Sequence, residues 1–218
     1  MKYNYLYVPL ICLSFLLPTN ALSQGNPVKG KSLYETCVAC HGQNAGGMLA
    51  TNSPSLSGMR DSYLISQIQK FRSGARGGNP EDIYGAQMAT IAKILPDEQS
   101  ILDVVAYIIT LKSPPPKRTE MSGDPSQGKI IYEEQSCAQC HATKGQGMQG
   151  NKGRPKYDSP QLAGQHDWYL IRQLKNFKSR IRGSSENPAA LFMRVQLVEF
   201  GNDQMINDVV AYIGTFDH

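Results

Sequence analysis

The chain has 218 residues, 40% of them apolar, which is enough for two domains of roughly 90 residues each, not for one large core. Its 22 basic and 18 acidic residues leave a formal charge of only +4. With so small a balance and no nucleic-acid-binding motif, a nucleic-acid partner is not expected.

Residues 1–23 read as a signal peptide. Lys2 supplies a short basic start, and Leu6 to Leu17 an apolar core too short to span a bilayer comfortably. Ala21 and Ser23 are small residues at the −3 and −1 positions of a cut before Gln24. An uncleaved anchor is the alternative, and the short apolar core argues against it. Cleavage leaves a charge of +3, since Lys2 is lost, and removes Cys12, so that four cysteines remain.

Residues 24–112 form the first predicted domain. A helix over Val28 to Thr36 leads into Cys37-Val38-Ala39-Cys40-His41. Asp61 to Ser73 carries Leu64, Ile65, Ile68 and Phe71 at helical spacing. A last helix starts near Pro96, with Asp97 and Glu98 in its first turn, where acids suit the helix dipole, and runs to about Leu111. Residues 113–126 include Pro114 to Pro116 and read as a semi-rigid linker. Residues 127–218 then repeat the plan with Cys137-Ala138-Gln139-Cys140-His141, a helix over Asp167 to Lys178, and a last helix from the N-cap Asn202 to about Thr215. No stretch reads well as strand, so the expected fold class is all-α.

The repeat is detailed. Gly30-Lys31-Ser32-Leu33-Tyr34 matches Gly128-Lys129-Ile130-Ile131-Tyr132. Pro54-Ser55-Leu56-Ser57-Gly58 matches Pro160-Gln161-Leu162-Ala163-Gly164. Phe71 and Arg76 match Phe177 and Arg182, and each half ends on Asp-Val-Val-Ala-Tyr-Ile, at Asp103 and at Asp208.

C-x-x-C-H is the attachment site of c-type haem. The two cysteine sulfurs add to the haem vinyl groups, and the histidine becomes the proximal iron ligand. A zinc knuckle, a redox dithiol or a disulfide would also use C-x-x-C. Zinc would need four ligands, and a site joining Cys37, Cys40, Cys137 and Cys140 would leave both histidines unexplained. Two copies behind an export signal therefore point to two covalent haems (iron) and to electron transfer. No disulfide is then expected.

The second axial ligand decides between a carrier and a haem that binds small molecules. His166 has no equivalent in the first half, and His218 is the last residue. Methionine pairs by position: Met88 lies 19 residues before Tyr107, and Met193 lies 19 before Tyr212. They follow their histidines by 47 and 52 residues, enough chain to reach the opposite haem face. Met48 and Met148 also pair but sit only seven residues after the histidines; Met205 falls inside the last helix. His41 with Met88 and His141 with Met193 are thus the expected iron ligands.

Each half resembles a class I cytochrome c domain, and the duplicated chain is similar to the dihaem cytochrome c4 family over essentially its whole mature length. The resemblance implies a periplasmic, soluble or membrane-associated carrier of the bacterial respiratory chain. Its redox partners would be a cytochrome bc complex, a terminal oxidase or a dehydrogenase, and it would not itself be an enzyme. It also implies that the Pro54 and Pro160 carbonyls accept a hydrogen bond from Nδ1 of His41 and His141. Gly30 and Gly128 would let the first helix cross the last against Tyr107 and Tyr212. The alternatives are a cytochrome subunit of a dehydrogenase, such as flavocytochrome c sulfide dehydrogenase, and an open-haem enzyme or sensor. Two features depart from the family pattern. The loop after the second motif is six residues longer, and Gly164-Gln165 is matched in the first half by Gly58-Met59. From Lys144 to Arg182 there are nine Lys/Arg and two Asp. This run is expected to be a docking surface or a set of haem-propionate partners, with Arg76 and Arg182 as a paired propionate contact.

Overall fold

Polar caps start most of the helices. In the computed structural model, which describes residues 24–116, 118–119, 122–148, 158–184 and 187–216, Asn26 accepts from the N–H groups of Val28 and Lys29 and opens helix α1, Pro27–His41. Asp82 opens α3 (Ile83–Ala92), and Asp97 opens α4 (Glu98–Ile108) through a reciprocal capping box with Ser100. Between α1 and α3 lies α2, Asp61–Ser73, closed by left-handed Gly74. The second half follows with α5 (Pro125–Glu134), α6 (Ala138–His141), α7 (Asp167–Lys178), α8 (Pro188–Gln196) and α9 (Asp203–Ile213), of which α9 is capped by Asn202. No strand occurs among the described residues; the isolated bridges Met48–Ser53 and Met148–Ser159 pin the two loops after the motifs. The expected signal peptide with Cys12, and His218, lie outside the described residues.

Two apolar cores form, one in each half. Tyr34, Leu64, Phe71, Ile101, Val104 and Val105 centre the first, and Tyr132, Leu170, Phe177, Ile206, Val209 and Val210 the second. Full burial of each aliphatic side chain contributes about 1.5–3 kcal/mol, so the shared Val-Val-Ala-Tyr-Ile string anchors both cores. In each half the first helix crosses the last, α1 on α4 and α5 on α9. A Cβ on Gly30 would sit 1.9 Å from the Asp103 carbonyl oxygen, and one on Gly128 1.9 Å from that of Asp208. The crossing therefore needs glycine at its closest point. Buried Asp103 and Asp208 reinforce it by accepting from the backbone N–H of Asn26 and Asp124, each at 2.8 Å.

Three expectations need correction. The first helix does not stop at Thr36 but runs on through the motif to His41. In the second half the same helix breaks, because two more residues separate Tyr132 from Cys137 than separate Tyr34 from Cys37. Ser136 takes φ +55° at the break, and α6 restarts the helix for the motif. Finally, α3 and α8 were not expected as helices, and they carry Met88 and Met193.

Candidate functional site

Helical spacing is what makes C-x-x-C-H one clamp. Residues three and four apart share a helix face, so Cys37, Cys40 and His41 lie together at the end of α1. Cys137, Cys140 and His141 do the same around α6, where Cys137 already has helical φ/ψ of −57° and −36°. All four cysteines are free of disulfides. Burial pushes the Cys37 thiol up and that of Cys137 to about 11, opposite to the depressed thiols of a redox dithiol. Among the described residues no three His, Cys, Asp or Glu converge as a separate metal site.

Both histidines are buried, and both are held in one tautomer. His41 Nδ1–H donates to the Pro54 carbonyl at 2.9 Å, and His141 Nδ1–H to the Pro160 carbonyl at 3.0 Å. This leaves Nε2 as the basic nitrogen in each ring. Burial lowers both imidazole pKa values, with the proline carbonyl partly opposing it, so the neutral, metal-binding form prevails. The loop that delivers Pro54 closes through Gly47 at φ +79°, where a Cβ would come within 2.5 Å of the Pro54 carbonyl carbon; Gly147 repeats this beside Ser159 and Pro160. Tyr34 and Tyr132 hydroxyls donate to the carbonyls of Gly42 and Ala142, each at 2.7 Å, fixing the chain just past each histidine.

Met88 on α3 and Met193 on α8 are partly buried and pack against the first and second cores respectively. Met205 stays within α9, its sulfur accepting from the Gly201 N–H at 3.3 Å. Met48 and Met148 lie exposed in the bridged loops.

The two halves meet in a seam that sequence reasoning missed, built from equivalent residues of each half. Arg76 lies over the Phe71 ring at 4.4 Å and donates to Gln67 at 2.8 Å and, across the seam, to the Tyr169 hydroxyl at 2.9 Å. Arg182 lies over Phe177 at 4.5 Å, donates to Gln173, and lies near Tyr63 across the seam. The signal for this was present in the repeat, in the pairs Tyr63/Tyr169, Gln67/Gln173 and Arg76/Arg182.

The basic run is therefore not one exposed face. Arg172 turns into the seam, donating to the Asn52 side chain at 2.9 Å and its carbonyl at 2.7 Å, with Tyr84, Trp168 and Tyr169 under its guanidinium. Lys175 and Lys178 pair with Asp203. Lys152, Arg154 and Lys156 lie outside the described residues.

The residues fit a haem on each side. The donor set is two thiols and a neutral imidazole with its second nitrogen already satisfied. The seam gathers buried cationic groups: burial and the charge of Arg76 pull the Arg182 guanidinium down, burial with Arg182 and Arg76 does the same to Lys70 against the opposing charge of Asp158, and Arg76, despite its burial, is held up by Tyr169, Tyr63 and Asp82. The Nε of Arg182 is buried without a partner among the described residues. Acidic propionates are the kind of group such a cluster accepts.

The comparisons agree with this chemistry. Residues 27–112 and 125–217 match the family model described as Cytochrome c. Cytochrome c4 of Azotobacter vinelandii is 28% identical over 174 residues, covering 74% of this chain and 77% of the relative. A thiosulfate dehydrogenase electron acceptor of Stutzerimonas stutzeri (strain A1501) is 31% identical over 160 residues, covering 69% and 67%. The solved structure of reduced recombinant cytochrome c4 from Pseudomonas stutzeri has a TM-score of 0.66 and 27% identity, covering 88% of this chain and all of that one.

Proposed function

Because this chain belongs to the cytochrome c family and shares the two-domain build of cytochrome c4, we propose that it shuttles electrons in the periplasm from respiratory donors to a terminal oxidase or reductase. It is a dihaem electron carrier, not an enzyme. In the proposed arrangement residues 24–112 and 127–218 are the two haem domains, joined by residues 113–126, after export by the 1–23 signal. Among the described residues no helix is long and apolar enough to cross a membrane.

Each haem c supplies a one-electron Fe(III)/Fe(II) couple. The protein fixes its potential and its geometry. Cys37 and Cys40 tether one haem, and Cys137 and Cys140 the other. His41 and His141 are the proximal ligands in this reading, made stronger donors by the Pro54 and Pro160 carbonyls. Met88 and Met193 would be the second iron ligand of each half, and pairing a thioether with histidine raises the potential. With one histidine and one methionine holding each iron, these side chains would need little rearrangement between the two oxidation states. Arg76 and Arg182 are propionate partners at the seam, which brings the two halves into contact through equivalent residues.

The observation that carries this reading is the clamp, found twice: C-x-x-C-H on a helix, with the histidine tied to a proline carbonyl. Intact mass of the exported protein should exceed the signal-cleaved chain by two haems, and acidified acetone should extract neither. A mass showing one haem or none contradicts it.

A second reading concerns the donor. The relative described as a thiosulfate dehydrogenase electron acceptor supports a role as the electron-accepting partner of a dehydrogenase. Co-purification of a stable dehydrogenase with the tagged chain would favour that role over a free shuttle.

A further inference from the structure

Each half places the residue before one long helix against the haem-attachment loop of the other. His166, ahead of α7, donates Nε2–H to the Gly46 carbonyl at 2.7 Å. Arg60, its equivalent ahead of α2, donates to the carbonyls of Gln146 and Gly147 at 3.0 and 2.8 Å. The gripped Gly46 and Gln146 carbonyls belong to the peptide groups whose Gly47 and Gly147 N–H groups bond to the His41 and His141 carbonyls, at 3.0 and 2.9 Å. These grips are reciprocal, so they act on both halves.

One grip is not reciprocal. The Gln165 carboxamide, buried in the seam, clasps Ser55 of the first half at both ends. Its Oε1 accepts from the Ser55 N–H at 3.0 Å, and its Nε2 donates to the Ser55 carbonyl at 2.9 Å. The Ser55 N–H belongs to the same peptide group as the Pro54 carbonyl. That carbonyl accepts His41 Nδ1–H at 2.9 Å. An unbroken hydrogen-bonded chain thus runs from the second half, through one peptide group, into the imidazole of the first. In the other direction Gln165 is replaced by Met59 and Ser55 by Gln161, and the two line a small hollow in the seam. A thioether is only a weak acceptor, so the Pro160–Gln161 peptide group gains no comparable bond from it.

We propose that Gln165 is a positioning residue that sets the two haem potentials apart by strengthening the proximal hydrogen bond of the first half alone. The proposal rests on His41 and His141 being the proximal ligands. Donating a hydrogen bond from its N–H polarises an amide and makes its oxygen a better acceptor. The Pro54 oxygen then pulls harder on the His41 proton. The imidazole becomes a stronger donor to iron and favours Fe(III), so the first potential is lowered. Since Gln165 belongs to the second half, the first haem also senses whether the two halves are docked.

The test is a redox titration of the dihaem protein, with each midpoint assigned to its half through the sequence-assigned His41 and His141 Nδ1–H resonances. Gln165→Met copies the first-half residue into the second half. It should shift the first-half midpoint upward, move the His41 Nδ1–H resonance upfield, and leave the second half in place. Met59→Gln installs the missing amide and should shift the second-half midpoint downward. Should Gln165→Met not fold, Met59→Gln decides by itself. If the variants keep a His/Met spectrum but neither midpoint moves, or both move equally, Gln165 is only an interface contact and the proposal is overturned. If the unmodified protein shows no histidine-ligated haem, the ligand reading falls and takes this proposal with it.

Discussion

Met88→Ala should leave half of the haem able to bind carbon monoxide after reduction, and Met193→Ala should open the other half. In the unmodified protein, two filled axial positions should allow none. Each variant should also lose half of the red-edge charge-transfer band of Met-ligated ferric haem, and its altered haem should fall in potential, since the thioether favours Fe(II). The two methionines stand on equivalent helices, α3 and α8, each packed against the core of its own half. Met205 is the informative control, because its sulfur already accepts from the Gly201 N–H within the first turn of α9. Carbon monoxide binding by Met205→Ala but not by Met193→Ala would reassign the second distal ligand.

Gly30→Val should destabilise the first half by about 3 kcal/mol, the upper end for forcing extra volume into a packed site. For a domain of this size that is a fall of roughly 12–24 °C in its melting midpoint. The cost is high because the obstruction is backbone. The added Cβ would meet the Asp103 carbonyl oxygen at 1.9 Å and the Tyr107 Cβ at 2.9 Å. Relief requires α1 to move off α4, which also breaks the 2.8 Å bond from Asn26 to Asp103. Gly201→Ala is the matched control, since its nearest neighbour would be the Met205 sulfur at 3.9 Å, and it should be nearly neutral. Equal midpoints for the two variants, by calorimetry, would contradict the close-crossing account.

Most of the frame was legible because local signals and repeat agreed. The helices Asp61–Ser73 and Asp167–Lys178 follow from an apolar stripe at helical spacing, and Asn202 as a cap follows from its place before α9. The clamp was legible because its spacing is its chemistry. The methionine helices were not, because α3 and α8 lack a clean apolar stripe: Ile83, Tyr84, Phe192 and Val195 are exposed while Ala89 and Ala190 are buried. Asn187-Pro188 was nevertheless a readable start signal for α8, a polar cap followed by proline at the first helical position. The seam was harder to read, despite the paired residues of the repeat, for another reason. Arg172 contacts Asn52 across 120 residues, and Gln165 contacts Ser55 across 110. Nothing local separates a guanidinium that enters an interface from one that stays in water, so Arg172 read as part of a surface run.

The central claim is that this chain carries two fully ligated one-electron centres of unequal potential. Spectroelectrochemical titration of the purified protein, with a carbon monoxide difference spectrum on the reduced form, tests it most directly. The account predicts two one-electron steps of equal amplitude at different potentials, a Met-ligated ferric band that scales with both haems, and no carbon monoxide complex. A single one-electron step, or carbon monoxide binding by the unmodified protein, would contradict it.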